Sequence, residues 1–436
     1  MTAVVVVGGG FAGLSAATAL AERGIPVTVL EARPTLGGRA SSFTDPATGE
    51  RVDNGQHVLI GGYQETFRFL RRIGTDGDVY LQETLAVDVI DATGRASRLR
   101  CPALPAPLHL FAGVIRWEGL TWRDRIAAIH VIRGVRLERD QTHTQSVRQW
   151  LEQHKQTAPL IELLWEPLAV AALNQSIELA AAGPFIGVLR RMFGTSRRDS
   201  SLGLPLKPLD ELYARPSKGF VERRGGTVRT NSPARVHLAP SLRVQVRDEE
   251  LTPSAVICAA PWYALSEAIV GPPPGLADIV RAAEGTSASP IVTVNVWFDR
   301  PLAAGMFVGL PGRTMQWMFD KRLLFGDTSS HVALVSSAAD RIVNLSNDEL
   351  VATAVREVKS AIPSARDARI VRTVVVRERR ATFSVAPGQP PRPSVETQVP
   401  GLFLAGDWIE TGLPATIESA VISGHRAAAA VAAFLA

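Results

Sequence analysis

The run Val4-Val5-Val6-Val7 breaks directly into Gly8-Gly9-Gly10-Phe11-Ala12-Gly13, and no other stretch constrains the fold as strongly. A β-branched apolar strand that turns through glycines into a helix is the first half of a dinucleotide-binding βαβ unit. Gly8 permits the tight turn, Gly10 lets the backbone approach a pyrophosphate, and Gly13 lets the helix pack closely on the strand, with the helix N-terminus facing the phosphates. The helix is predicted over 12–23 and a second apolar strand over 25–30, ending at Glu31, an acid placed to accept a ribose hydroxyl. Phe11 and Ala12, which open the helix, belong to the same contact set. A glycine-rich turn in an unrelated protein would leave Glu31 unexplained. The fold class read from this unit is α/β.

Two further segments decide which dinucleotide. Ala32-Arg33 and then Leu36-Gly37-Gly38-Arg39-Ala40 form a second glycine-bearing loop ending in a cation, able to put backbone N–H groups and a guanidinium on a diphosphate. Near the other end of the chain, 401–406 reads as a short buried strand with Asp407 after its turn, followed by a helix from about Pro414 through Thr416 and Ile417 toward Ala433. An acid beside another strand end and helix start suits the polyol of a ribityl chain, which nicotinamide cofactors lack. The expected cofactor is therefore FAD.

Together these three segments resemble the flavin-containing amine oxidase and phytoene desaturase superfamily. The resemblance implies a Rossmann-like FAD-binding domain of the amine oxidase type with a mixed sheet-plus-helix substrate domain. It also implies cofactor contacts at Gly8, Gly10 to Gly13, Glu31 to Arg33, Gly38, Arg39, Gly55, Gln56, His57, Gly406, Asp407, Thr416 and Ile417. Val236 carries over as a backbone contact to adenine, although Arg235-Val236 reads equally well as an ordinary strand of a β-meander. Four longer strings, 52–61, 164–169, 172–174 and 406–408, resemble one branch, the bacterial squalene-associated flavoproteins called hydroxysqualene dehydroxylases. That branch implies an enzyme of hopanoid-type triterpene synthesis that converts hydroxysqualene to squalene with reduced FAD.

The remaining sequence bounds the architecture. A chain of 436 residues is too long for one compact core, and two domains are expected: a discontinuous FAD-binding domain of 1–75, 219–290 and 367–436, and a substrate domain of 76–218 and 291–366. Helical spacing is predicted over 122–136, 146–155, 159–172 and 346–361, and strands over 290–298, 313–319 and 332–336. The two cysteines, Cys101 and Cys258, lack metal-ligand spacing and read as reduced thiols of a cytoplasmic protein. The first apolar run is expected to be a core strand and not a signal peptide, and no stretch approaches the roughly 20 apolar residues of a membrane span. The net charge of +5 comes with no interleaved basic and aromatic stripe, so nucleic acid is not an expected partner. The segment 184–198 places Phe185, Leu189, Met192 and Phe193 on one face with Arg190 and Arg191 elsewhere. It suits either peripheral contact with the inner face of an anionic membrane or, preferably, a substrate-domain helix packed inward.

The chemistry implied by the branch is loss of an allylic hydroxyl on protonation and hydride delivery to the resulting cation, in a dry apolar tunnel. His57, in the segment that the superfamily places against the flavin, and Glu166, among Leu163, Leu164, Trp165 and Leu168, are the candidate proton sources. The plain alternatives are a backbone hydrogen bond for His57 and solvent exposure for Glu166. Asp53 and Asn54 are expected to fix the loop. Amine oxidases of this fold carry a cage tyrosine where this chain has Thr416, which weighs against an amine substrate. A carotenoid-type polyprenoid desaturase is the main rival, and a non-catalytic prenyl-binding escort is disfavoured by the intact cofactor glycines. No second nucleotide fingerprint is present, so an external electron donor is expected.

Overall fold

The computed structural model describes residues 4–137, 144–302 and 304–436. The strand β1 (Val4–Val7) is the middle of a five-stranded sheet ordered Thr227–Arg229, β2 (Val27–Leu30), β1, Ala255–Cys258 and Leu402–Leu404. Every pairing in it is parallel. A parallel strand covered on both faces is apolar at every position, and Val4 to Val7 are all 7% exposed or less. The helix α1 (Phe11–Glu22) follows the glycine turn. A Cβ on Gly13 would stand 1.9 Å from the Gly8 carbonyl oxygen, so only glycine lets α1 sit this close to the turn. Gly424, on the helix Ile417–Leu435, has the same constraint against the Ala12 carbonyl oxygen at 2.3 Å. Gly424 thus brings segments more than 400 positions apart into backbone contact.

A seven-stranded sheet forms the second layer system, in the order Ile370–Phe383, Ala288–Phe298, Ser330–Ser336, Trp317–Asp320, Phe307–Gly309, Ala86–Ile90 and Ala96–Arg100. The helix Asn347–Ala361 covers it. Ser346 caps that helix by accepting the Glu349 N–H, and the Glu349 carboxylate accepts the Ser346 N–H in return. Leu350, Ala354 and Val358 recur every four residues and are fully buried with Val292, Val294 and Leu334. The strand expected over 313–319 starts only at Trp317, because the Leu310 N–H bonds the Gln316 carbonyl and Gly312 sits at φ 74°, making this stretch a hairpin turn. The strand Ile370–Phe383 lies in the stretch assigned by sequence to the FAD-binding domain, yet it pairs with Ala288–Phe298 in the second sheet.

After α2 (Gln64–Ile73), the stretch 76–218 is rich in helices: α3 (Leu108–Arg116), α4 (Trp122–Leu137), then Val147–Gln153, Glu166–Leu173 and Ala182–Met192. In the last of these Phe185, Ile186, Leu189 and Met192 are all buried, at 5% exposure or less. The apolar face of 184–198 therefore packs inward, with Phe193 half-buried at its end, and the alternative of membrane contact finds no exposed apolar stripe there. No described helix is long and apolar enough to cross a membrane. Both cysteines are free and buried, and burial pushes the Cys101 thiol up to about 12 and the Cys258 thiol up to about 11.

His331 is fully buried, stacked on Trp297 at 4.0 Å and bonded through Nε2 to Asn295 Oδ1 at 2.9 Å. Burial pushes its imidazole down from 6.5 to about 3. The unfolded chain then binds this proton near pH 6.5 while the folded chain does not, so stability rises with pH and is lost as pH falls from 6.5 toward 3. At pH 5 this histidine alone is expected to remove about 2 kcal/mol relative to pH 7. Urea unfolding of the apoprotein at the two pH values checks this, and His331→Gln, which keeps a partner for Asn295, should flatten the difference.

Candidate cofactor and substrate site

A cavity of about 1190 Å³ runs along the carboxyl ends of the parallel sheet. Its wall includes Gly8 to Ala12, Leu30 to Arg33, Gly37 to Ala40, Asn54 to Val58, Gly406, Asp407 and Ala415 to Ile417. Segments that the sequence pointed to separately are thus brought onto one surface.

At one end, Glu31 is held by the backbone: Oε2 accepts the Gly9 N–H at 2.7 Å and Oε1 accepts the Arg33 N–H at 2.9 Å. Each oxygen keeps a lone pair for a ribose hydroxyl. Beside it the two glycine loops face each other, with a Cβ on Gly38 only 3.5 Å from the Gly10 Cα. The α1 N-terminus has no side-chain cap and no acid in its first turn, so its leading N–H groups are available to an anion. Tyr213 buttresses this cradle. Its hydroxyl lies 2.8 Å from both the Gly37 and Ala40 carbonyl oxygens, and its ring stacks on Phe11 at 3.6 Å.

In the middle, Arg39 and Asp407 pair with each other, Nη2 to Oδ1 at 2.5 Å and Nη1 to Oδ2 at 3.0 Å. Arg39 also donates to the Ala381 carbonyl at 2.9 Å and lies over the Trp262 ring. The cation expected at the diphosphate and the acid expected at the polyol are therefore neighbours in one clamp.

At the far end, the strand Arg51–Asp53 leads into Asn54 to Val58. Asn54 fixes the loop by donating to the Arg39 carbonyl at 2.6 Å and accepting the Ser41 N–H at 3.0 Å. Asp53 is buried and accepts from Ser42 Oγ at 2.7 Å, the Leu209 N–H at 3.1 Å and Lys321 Nζ at 3.1 Å. Gln56 Oε1 and His57 Nε2 have no protein partner although both side chains line the cavity. Enclosure pushes the His57 imidazole down to about 4, opposed by Asp53 and reinforced by Lys321, so His57 is neutral at pH 7. It is thus no standing imidazolium acid.

Three of the expected residues do not line the cavity. Gly13 acts through packing, as above. Val236 is an interior strand residue, paired with Val244 and Ile269, and only its neighbours Ala234 and Arg235 reach the wall. Glu166 opens the helix Glu166–Leu173 away from the cavity, near Glu178 and Arg148, and its pKa is raised by burial and by Glu178. That helix instead presents Ala171 and Ala172, with Asn174 at its end. Asn174, left-handed at φ 49°, donates to the Ser289 carbonyl and Thr382 Oγ1, each at 3.0 Å, and accepts the Ala338 N–H at 2.8 Å. Sequence reasoning also gave no role to Glu418, which is fully buried and caps α2 by accepting the Glu65 N–H at 3.2 Å and the Thr66 N–H at 2.8 Å.

A family model described as flavin containing amine oxidoreductase matches residues 11–432. The chain belongs to this flavin containing amine oxidoreductase family. Within it, the chain is 30% identical to a hydroxysqualene dehydroxylase of Sinorhizobium fredii, over 97% of this chain and 96% of that protein. It is 24% identical to a probable zeta-carotene desaturase of Synechococcus elongatus over 98% of both. Among solved structures, an oxidoreductase from Methanosarcina mazei superposes with a TM-score of 0.75 at 16% identity, covering 97% of this chain and 99% of that one. The amine oxidase type of fold and the likeness to hydroxysqualene dehydroxylases are both borne out, and this flavoprotein is an FAD-dependent oxidoreductase. The cavity fits FAD: a side-chain-free glycine cradle with open N–H groups, an acid with spare lone pairs, and unpartnered polar atoms at the far end.

Proposed function

We propose that this flavoprotein reduces an allylic triterpene alcohol, hydroxysqualene, to squalene, the alcohol taking up one hydride and one proton and releasing water. Bound FAD in its reduced form supplies the hydride. The reading rests first on the full-length likeness to the Sinorhizobium fredii protein. The cavity wall supports it, because Val58, Ala171, Ala172 and Ile291 give the far end apolar wall, and a neutral imidazole with a free nitrogen stands there beside Gln56. His57 is proposed to hold the departing hydroxyl at Nε2 and to take up and pass on a proton as charge develops on that oxygen. Glu31, Gly10, Gly38, Arg39, Asp407, Thr416 and Ile417 are proposed to hold the cofactor. The FAD-binding unit is proposed to comprise 1–75, 219–290 and the chain after 383, with Ile370–Phe383 serving the substrate unit. The electron donor is proposed to be external, and the working place the inner face of the cytoplasmic membrane.

A substrate panel tests this reading. With a chemical reductant and FAD, hydroxysqualene should yield squalene, while phytoene under oxidising conditions and primary amines should be left unchanged. Desaturation of phytoene with no squalene formed would favour the carotenoid-type alternative.

A further inference from the structure

Six of the fifteen exposed large apolar side chains among the described residues fall within 104–129. On α4, Trp122, Ile126 and Ile129 recur at helical spacing and are 65%, 49% and 51% exposed. On α3, Leu108 and Ile115 stand two turns apart at 56% and 42%. Single exposed apolar residues are normal, but two adjacent helices that each turn an apolar stripe outward form an interaction surface. The charge around the stripes is one-sided. Over 100–131 the exposed charges are Arg100, Arg116 and Arg123 against Glu118, since Asp124 is buried against the Thr121 and Thr157 hydroxyls and Arg125 turns inward onto the Trp117 carbonyl at 2.9 Å.

Behind the stripes lies a second cavity of about 810 Å³. Ile115 and Ile129 belong both to the exposed face and to the cavity wall, so the mouth of the cavity opens within the apolar surface. Deeper in, the wall is Leu110, Phe111, Trp165 and Leu168. Leu168 is on the same helix whose next turn, Ala171 and Ala172, lines the cofactor cavity.

We propose that the α3–α4 face docks on an anionic lipid bilayer, with Trp122, Ile126 and Ile129 in the apolar boundary, arginines at headgroup level, and the second cavity admitting the apolar substrate directly from lipid. A bilayer is favoured over a second copy of the chain because a protein seated on this face would shut the mouth between Ile115 and Ile129. The substrate's residence in lipid is taken from the proposed function. Vesicle binding is measured without substrate, so failure here and failure of that reading are separable.

The test is flotation of the full FAD-loaded chain with vesicles of phosphatidylcholine alone and with phosphatidylglycerol mixed in to make the surface anionic. Wild type is expected to float with the anionic vesicles. Trp122→Glu/Ile126→Glu should weaken that partition at least about tenfold, while Leu179→Glu/Val371→Glu, two other exposed positions, should leave it unchanged. Brominated lipid should quench wild-type fluorescence more than that of Trp122→Phe, a readout that does not depend on the charged variant folding. Absence of vesicle binding, binding indifferent to Trp122 and Ile126, or a dimer of the wild type in sedimentation that Trp122→Glu/Ile126→Glu dissociates while vesicle binding stays intact would overturn the proposal.

Discussion

Gly13→Ala is expected to yield protein without bound flavin and to lower unfolding stability by about 3 kcal/mol, the upper end of the usual cost of overpacking. The new Cβ would stand 1.9 Å from the Gly8 carbonyl oxygen, which is backbone and cannot swing aside. Either α1 moves off the sheet or the turn opens, and both displace the N–H groups offered to the pyrophosphate. Gly24→Ala is the matched control. Gly24 has φ 74° but nothing within 4 Å of a Cβ, so only left-handed strain remains, about 1 kcal/mol, and flavin content should stay near wild type. The flavin-to-protein absorbance ratio and the urea midpoint measure both effects. Full flavin content in Gly13→Ala would remove the packing role assigned to this glycine.

Asp53→Ala is expected to cost about 3–5 kcal/mol, because it strands the Lys321 ammonium in the interior. Both side chains of this pair are 2% exposed, and without Asp53 the Lys321 ammonium keeps the Phe325 ring at 4.3 Å and the more distant attraction of Asp327. The two partners are not equivalent. Lys321→Met leaves Asp53 with the Ser42 hydroxyl and the Leu209 N–H and should cost clearly less than Asp53→Ala. Asp53→Asn/Lys321→Met, which keeps an acceptor for both donors and removes both charges, should recover most of the loss. Equal costs for the two single changes, with no recovery in the double, would mean that the pair is not the element joining 51–58 to the second sheet. Flavin content should follow stability in this series, since the same segment continues into Gly55, Gln56 and His57 at the cavity wall.

The cofactor end of the site was legible in the sequence because its determinants are local. A strand, a glycine turn, a helix and an acid lie within 31 residues, and the spacing alone states the geometry. The same holds for the helix expected over 346–361, whose start at Ser346 is fixed by a capping box with partners three positions apart. What the sequence could not convey is carried by contacts over long separations. Tyr213 grips Gly37 and Ala40 from more than 170 positions away, and Glu418 caps α2 from more than 350. Asn174 stood inside a string already singled out, and its helix-ending position next to an apolar run was the one signal of its left-handed cap. Glu166 looked buried among leucines, but helical phase decides which way a side chain on that segment faces, and the phase gave the cavity to Ala171 and Ala172. Amphipathicity alone does not say which face meets solvent, and the inward packing preferred for 184–198 is the one observed. The apolar face of Ala182–Met192 is a core face, whereas the stripes on α3 and α4 are the exposed ones.

The central claim is reduction of an allylic alcohol at the flavin. Its most direct test is an anaerobic single turnover: photoreduce the FAD-loaded protein, add hydroxysqualene in detergent micelles, and follow flavin absorbance together with squalene by mass spectrometry. The account predicts one squalene formed per flavin reoxidised, at one common rate, and none from the oxidised protein. Reduced flavin that persists with hydroxysqualene present and no squalene formed would contradict it.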